Sequence, residues 1–158
     1  MKKAILGILS TLTGAAVGAL GTERVMKKEI DQKQKLSDKH LKLFKMMNQW
    51  VRVKQEGKSL VSYFEKKNIH KIAIYGMNYA GETLAEELKG SNVEIAYGID
   101  KRANRLCAGF PIVLAEDSLE AVDAIVITAI SFFDEIEQEL SAKIDCTIIS
   151  LEDIVYEV

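Results

Sequence analysis

Proline occurs once in 158 residues, cysteine twice and histidine twice. One proline and ten glycines exclude a Pro-rich, collagen-like or low-complexity chain. Cys107 and Cys146 stand far apart, with no C-x-x-C and no neighbouring histidine cluster, so neither a disulfide framework nor a metal site has a basis in the sequence. The length excludes a large multidomain enzyme and leaves room for one domain with an appendage. What is present is a 48% apolar fraction, enough for a real core, and a net charge of -2 that conceals a division. From Thr22 to His70, 13 Lys and Arg face 6 Asp and Glu, whereas from Lys71 to Val158 only 6 basic residues face 17 acidic ones. The acidic half argues against nucleic acid as a partner. The basic half suits an anionic lipid surface or the solvated faces of helices.

Lys2 and Lys3 precede an uncharged run from Ala4 to Gly21. As a helix this run reaches about 27 Å, close to the thickness of a bilayer's hydrocarbon core. The run predicts a transmembrane anchor over residues 1–22, although Ser10, Thr11, Thr13 and four glycines dilute it. Gly14 and Gly18 form a G-x-x-x-G pair suited to a homodimer. A cleaved export signal is the rival, with small residues at Ala16-Val17-Gly18 or Ala19-Leu20-Gly21. Arg24, Lys27, Lys28, Lys33 and Lys35 follow the run, so the positive-inside bias predicts a single-pass protein of the cell membrane with its folded domain in the cytoplasm.

Residues 23–69 predict a basic helical stem. Leu36, His40, Leu43, Met47 and Trp50 recur at alternating spacings of four and three, and Phe44, Met46, Val51 and Val53 widen the apolar side. Such a side suits packing against a domain or against a second stem, with His40 as a packing residue. Gly57 interrupts the pattern, Ser59 can cap a short helix holding Leu60, Val61 and Phe64, and Asn68 marks its exit. Tyr63 and Lys67 share the Y-x-x-x-K spacing of a short-chain dehydrogenase pair, but they precede the first predicted strand, where that chemistry has no place.

Residues 70–158 carry the clearest pattern. Lys71–Tyr75 reads as a buried strand, Gly76-Met77-Asn78-Tyr79-Ala80-Gly81 as a turn, and Leu84, Ala85 and Leu88 as the apolar side of a helix. Unpaired N–H groups at such a helix start meet phosphate oxygens, which makes Gly76, Asn78 and Gly81 candidate binding residues. Asn78 occupies the place of the middle glycine in G-x-G-x-x-G, where it tolerates a left-handed backbone but changes the clearance for a ligand. The next strand, Val93–Ile99, ends at Asp100, 19 residues after Gly81, the place of a ribose-binding acid, with Lys101, Arg102 and Arg105 beside it for phosphate. A short strand over Phe110–Leu114, a crossover helix over Glu116–Ala121, a strand over Ala124–Ala129, a helix from Asp134 and a strand over Thr147–Ser150 complete the pattern. Alternation of this kind predicts an α/β fold with a five-stranded parallel sheet in the order 3-2-1-4-5. Its switch point brings Gly76 towards Thr128 and Ser131, which are candidates for phosphate or sugar contact, Ser131 also being placed to cap the helix that follows.

The segments Lys71–Gly76, Gly81, Asp100, Gly109–Ile112, Thr128-Ala129 and Ile148–Asp153 together resemble small Rossmann-type nucleotide-sugar-binding domains of bacterial polysaccharide-synthesis proteins, including the N-terminal domain of sugar N-acetyltransferases. They are also similar to NAD(P)-binding and CoA-binding Rossmann domains. The resemblance implies that Gly76, Asn78 and Gly81 face phosphate and that Asp100 faces ribose, with a nucleotide sugar or NAD(P) as ligand and a polysaccharide-synthesis enzyme as partner. Neither an acetyltransferase repeat nor a dehydrogenase substrate domain is visible, so the expectation is a membrane-associated nucleotide-sugar or dinucleotide-binding accessory protein. The alternatives are an NAD(P)-dependent oxidoreductase or nucleotide-sugar epimerase, for which Tyr75, Tyr79 and Ser131 are the nearest hydroxyls, and a non-catalytic structural or interaction module.

Overall fold

A computed structural model describes residues 2–103 and 108–158, with side chains described from Met26 onward. Two compact units divide the chain, Met1–Leu41 and Lys42–Val158. Helix α1, Lys2–Gln55, supplies all of the first unit's described structure and the opening turns of the second. Between Thr22 and Glu56 it contains neither glycine nor proline, and its Lys, Gln, Glu, Met and Leu content favours helix. Gly57 stops it: φ is +73°, and the amides of Gly57 and Lys58 close back on the carbonyls of Lys54 and Val53.

The expected membrane helix over residues 1–22 is corrected here. Among the described residues no helix is long and apolar enough to cross a membrane. The helix that contains the uncharged run continues without a break into a strongly charged stretch from Arg24 onward. The single-pass placement in the cell membrane and the membrane as a partner have no spanning helix among the described residues to rest on, and the side chains of residues 1–25 lie outside those residues. Gly14 and Gly18, on which the homodimer expectation rests, have side-chain surroundings outside the described residues.

In the second unit Met46, Trp50 and Val53 are buried at helical spacing, as the stripe predicts. Two of the residues expected to widen that side do the opposite: Phe44 is 68% and Val51 52% exposed. Their positions fall on the far side of the helix from Met46 and Val53, because 3.6 residues per turn leave only one narrow arc facing the core. Leu36 and His40, in the first unit, are exposed as well, so His40 is not a packing residue. Helix α2, Val61–Lys67, ends at Asn68, whose left-handed backbone (φ 55°) fits the sequence signal. The Tyr63 and Lys67 pair is structural: the Lys67 ammonium lies 5.4 Å from the Tyr63 ring centroid and pairs with Glu157.

The sheet contains β1 (Lys71–Tyr75), β2 (Glu94–Ile99), β3 (Ile112–Val113), β4 (Ala124–Ile127) and β5 (Thr147–Ser150). All pairs are parallel and the order is β3-β2-β1-β4-β5, as the alternation of elements predicts. Side chains alternate across it. Ile72 and Ile74 enter a core with Trp50, Phe64, Leu84 and Leu88, while Ala73 and Tyr75 enter a second with Tyr97, Ile99, Ile136 and Leu140. Helices α3 (Tyr79–Leu88) and α5 (Leu151–Glu157) serve the first face, and α4 (Phe133–Ser141) the second.

The crossover helix expected over Glu116–Ala121 does not form. A loop takes its place, because six residues make a poor isolated helix and Asp117 instead accepts from the Leu114 amide (2.8 Å) to hold a turn. The buried hydroxyl of Tyr97 pins this loop by donating to the Glu120 carbonyl at 2.7 Å. Burial, with the nearby Cys146 and Glu120, pushes that phenol up to about 12, so it remains a donor throughout the physiological range.

One carboxylate fastens α1, the turn after it and α3. Glu87 accepts from Trp50 Nε1 (2.6 Å), Lys54 Nζ (3.0 Å), Ser59 Oγ (3.0 Å) and the Leu60 amide (2.9 Å), with its side chain only 7% exposed. Burial alone raises its pKa, but the donations from Leu60, Lys54, Trp50 and Ser59 outweigh it and hold the carboxyl below its usual range.

Candidate functional site

The turn after β1 is built around two glycines for two different reasons. Gly76 has φ of +92°, and a Cβ there would stand 2.8 Å from Thr128 Oγ1. Gly81 is a packing glycine, since a Cβ would collide with the Gly76 carbonyl oxygen. It lets the first turn of α3 lie directly on the end of β1 and is itself buried.

Four of the six backbone donors from Gly76 to Gly81 are engaged within the protein. The amide of Gly76 donates to the Ile99 carbonyl at 2.8 Å and that of Met77 to Asp100 Oδ2 at 2.9 Å. Asn78 adopts an extended backbone (φ -96°, ψ -173°) rather than a left-handed one and serves as the N-cap of α3. Its Oδ1 accepts from the amides of Ala80 (2.9 Å) and Gly81 (3.3 Å). Asp100 is committed on its other oxygen too, where the Arg102 amide donates at 2.8 Å and the Arg102 side chain pairs at 3.4 Å. The sequence places Asp100 beside the turn, and the fold uses it to close the turn.

The candidate residues fall into three places. Gly76, Asn78 and Asp100 line one cavity of about 490 Å³ at the carboxyl ends of β1, β2 and β4, together with Lys101 and Arg102. Gly81 lies behind it in the packing between α3 and β1. Thr128 is 1% exposed, and its hydroxyl is shared between the carbonyls of Tyr75 and Gly76, so it ties β4 to the turn. Ser131 is exposed and lines a different cleft of about 240 Å³ with Lys42 and Glu152. It does not cap α4: Ile130–Phe132 forms a 3-10 turn, and α4 begins without a side-chain cap. Tyr79 is exposed, and Arg105 and Cys107 lie outside the described residues.

The opposite wall of the switch-point cavity comes from α4, whose Glu135, Ile136 and Glu139 face it, with Tyr75 and Ala129 beneath. Burial pushes the Tyr75 phenol up, and the Glu139 carboxylate adds to the effect. The two glutamates escaped notice in the sequence because an i, i+4 pair of acids on an amphipathic helix reads as a solvated face. A larger cavity of about 520 Å³ lies at the β3 edge, lined mainly by apolar side chains such as Val93, Ile95 and Phe110. Met77, whose amide donates to Asp100, lines it as well, but neither Asp100 nor Asn78 does. Among the described residues no group of three or more His, Cys, Asp and Glu is arranged to hold a metal ion.

The sheet order and the crevice at its switch point define a Rossmann-like α/β domain. No protein-family model, curated protein or solved structure matches the chain. The expected membrane-associated accessory role is corrected: among the described residues no helix is long and apolar enough to cross a membrane.

Proposed function

We propose that the chain is a non-catalytic interaction module built on a Rossmann-like sheet whose phosphate turn is closed from within. The observation that carries this reading is the engagement of the Met77, Ala80 and Gly81 amides by Asp100 and Asn78. A pyrophosphate entering here has to displace a carboxylate and a carboxamide from the donors it needs. It also meets the Asp100 charge, and two like charges about 4 Å apart repel by about 4 kcal/mol at an effective dielectric near 20. Phe44 and Val51, exposed on α1, offer apolar surface of the kind that partner proteins cover.

A nucleotide-binding oxidoreductase or epimerase is the second reading. One observation favours it: Gly76, Asn78 and Asp100 line a single cavity at the switch point, where a nucleotide sugar or NAD(P) is expected from the resemblance. Calorimetric titration of the full chain with NAD, NADP and a panel of nucleotide sugars separates the two. The module reading expects no saturable heat at millimolar ligand. Saturable binding of any of them overturns it.

A further inference from the structure

The switch-point cavity has walls of opposite charge. Lys101 and Arg102 stand at the end of β2, and Glu135 and Glu139 stand one turn apart on α4. Asp100 is already held by Met77 and Arg102, and Glu139 pairs with Lys143 at 2.8 Å. Lys101 and Glu135 have no ion-pair partner among the described residues. Between the walls lies Tyr75, 8% exposed, with its ring in the core of Ile136 and Leu140. Tyr75 lines the cavity, and its hydroxyl makes no hydrogen bond to any described residue. Among the described residues no buried side-chain oxygen or nitrogen lacks a partner, so this hydroxyl is reached by solvent and is open to a ligand. The Tyr75 hydroxyl is held protonated by burial and by Glu139, so it meets a ligand as a neutral phenol.

We infer that this crevice binds a small zwitterion. Its ammonium is received by Glu135, Glu139 and the Tyr75 hydroxyl oxygen, and its carboxylate by Lys101 and Arg102, with Ala129 and Ile136 beneath its apolar body. The inference goes beyond the module reading: the charged walls stand beside the turn and do not use its amides. An ammonium and a carboxylate each meet opposite charge here, whereas a molecule with one charge leaves one wall unanswered.

The test is NMR titration of the full chain with ω-amino acids of graded length, 6-aminohexanoate among them, against hexylammonium and hexanoate. Saturable shifts are expected for at least one zwitterion, about fivefold tighter than for hexylammonium, with none for hexanoate. Glu135→Gln combined with Glu139→Gln is expected to weaken the zwitterion about tenfold. Tyr75→Phe, which keeps the ring in the core, is expected to weaken it about threefold with the unfolding midpoint nearly unchanged. Lys101→Met brings the zwitterion down to the level of hexylammonium. The inference is overturned if no zwitterion saturates, if all three probes bind alike, or if the glutamine variants bind as well as the parent. Nucleotide titration reads the two proposals separately: zwitterion binding alongside nucleotide binding retains this site and rejects the module reading, and absence of both rejects this site alone.

Discussion

The two faces of the sheet are finished differently. On one, α1, α2, α3 and α5 bury a continuous core around Phe64, Trp50 and Leu84, and the carboxylate of Glu87 satisfies four donors at the seam. On the other, α4 and a loop cover Tyr97, Ile99 and Ile125, and a cavity remains at the strand ends. The first face has open space too, a cavity at its β3 edge beside Leu88, Val93 and Phe110, so the two faces differ in where that space lies: at the sheet edge on one, at the strand ends on the other. A close-packed position resists every change of volume, whereas one that already borders a void tolerates truncation.

Paired truncations break or sharpen that contrast most directly. Phe64→Ala, fully buried in the first core away from either cavity's lining, is expected to cost about 3–5 kcal/mol in denaturant unfolding, whereas Ile136→Ala beside the switch-point cavity costs about 2 kcal/mol. Equal losses abolish the distinction. Gly81→Val comes next. Its branched side chain meets the Gly76 carbonyl, so about 3 kcal/mol of stability is lost whether or not any ligand is added. A Gly81→Val protein of parental stability shows that α3 is able to move off the strand.

Glu87→Gln tests the seam through pH. The folded carboxyl ionises below its unfolded value of about 4.3, so its contribution is fully present above that pH and is lost as pH falls through the lower, folded value. The variant is expected to lose about 2 kcal/mol at neutral pH and to show a shallower decline between pH 5 and 3, roughly speaking, than the parent. Trp50, the single tryptophan and a direct partner of Glu87, reports both by fluorescence. An unchanged acid limb removes Glu87 as its cause. The smallest effect belongs to the turn: Asn78→Ala removes the cap of α3 and costs about 1 kcal/mol. Under the module reading it also frees two amides, so a gain of nucleotide affinity in Asn78→Ala over the parent identifies the carboxamide as the plug, and no gain shifts that role to Asp100.

The sheet was legible because its strands are short apolar runs bounded by turn residues, and right-handed crossovers then leave few orders for five of them. Tyr75 to Gly81 was legible as strand, turn and helix. The partners of its amides were not, because spacing places Asp100 near the turn without saying whether its carboxylate points to a ligand or to Met77. Asn78 fits the same lesson: its residue type suggests left-handed tolerance, whereas its extended backbone makes it the cap of α3. Which side of α1 faces inward was only half visible, since apolar residues occur on both sides and only packing separates Met46 from Phe44. The missing crossover helix belongs to the same class of limit. Local helical content over Glu116–Ala121 competes with Tyr97, a residue about twenty positions upstream whose hydroxyl captures the Glu120 carbonyl.

That fastening has a consequence for how the chain can be divided. The connection from β3 to β4 has no hydrogen-bond ladder of its own, so its path is dictated by strands that come from both sides of it. Cutting there leaves one fragment ending at the sheet's outer edge and another whose first strand inserts beside β1. Each piece carries the half of the pairing surface that the other lacks, which makes this loop the natural seam for reassembling the molecule from two separately made parts.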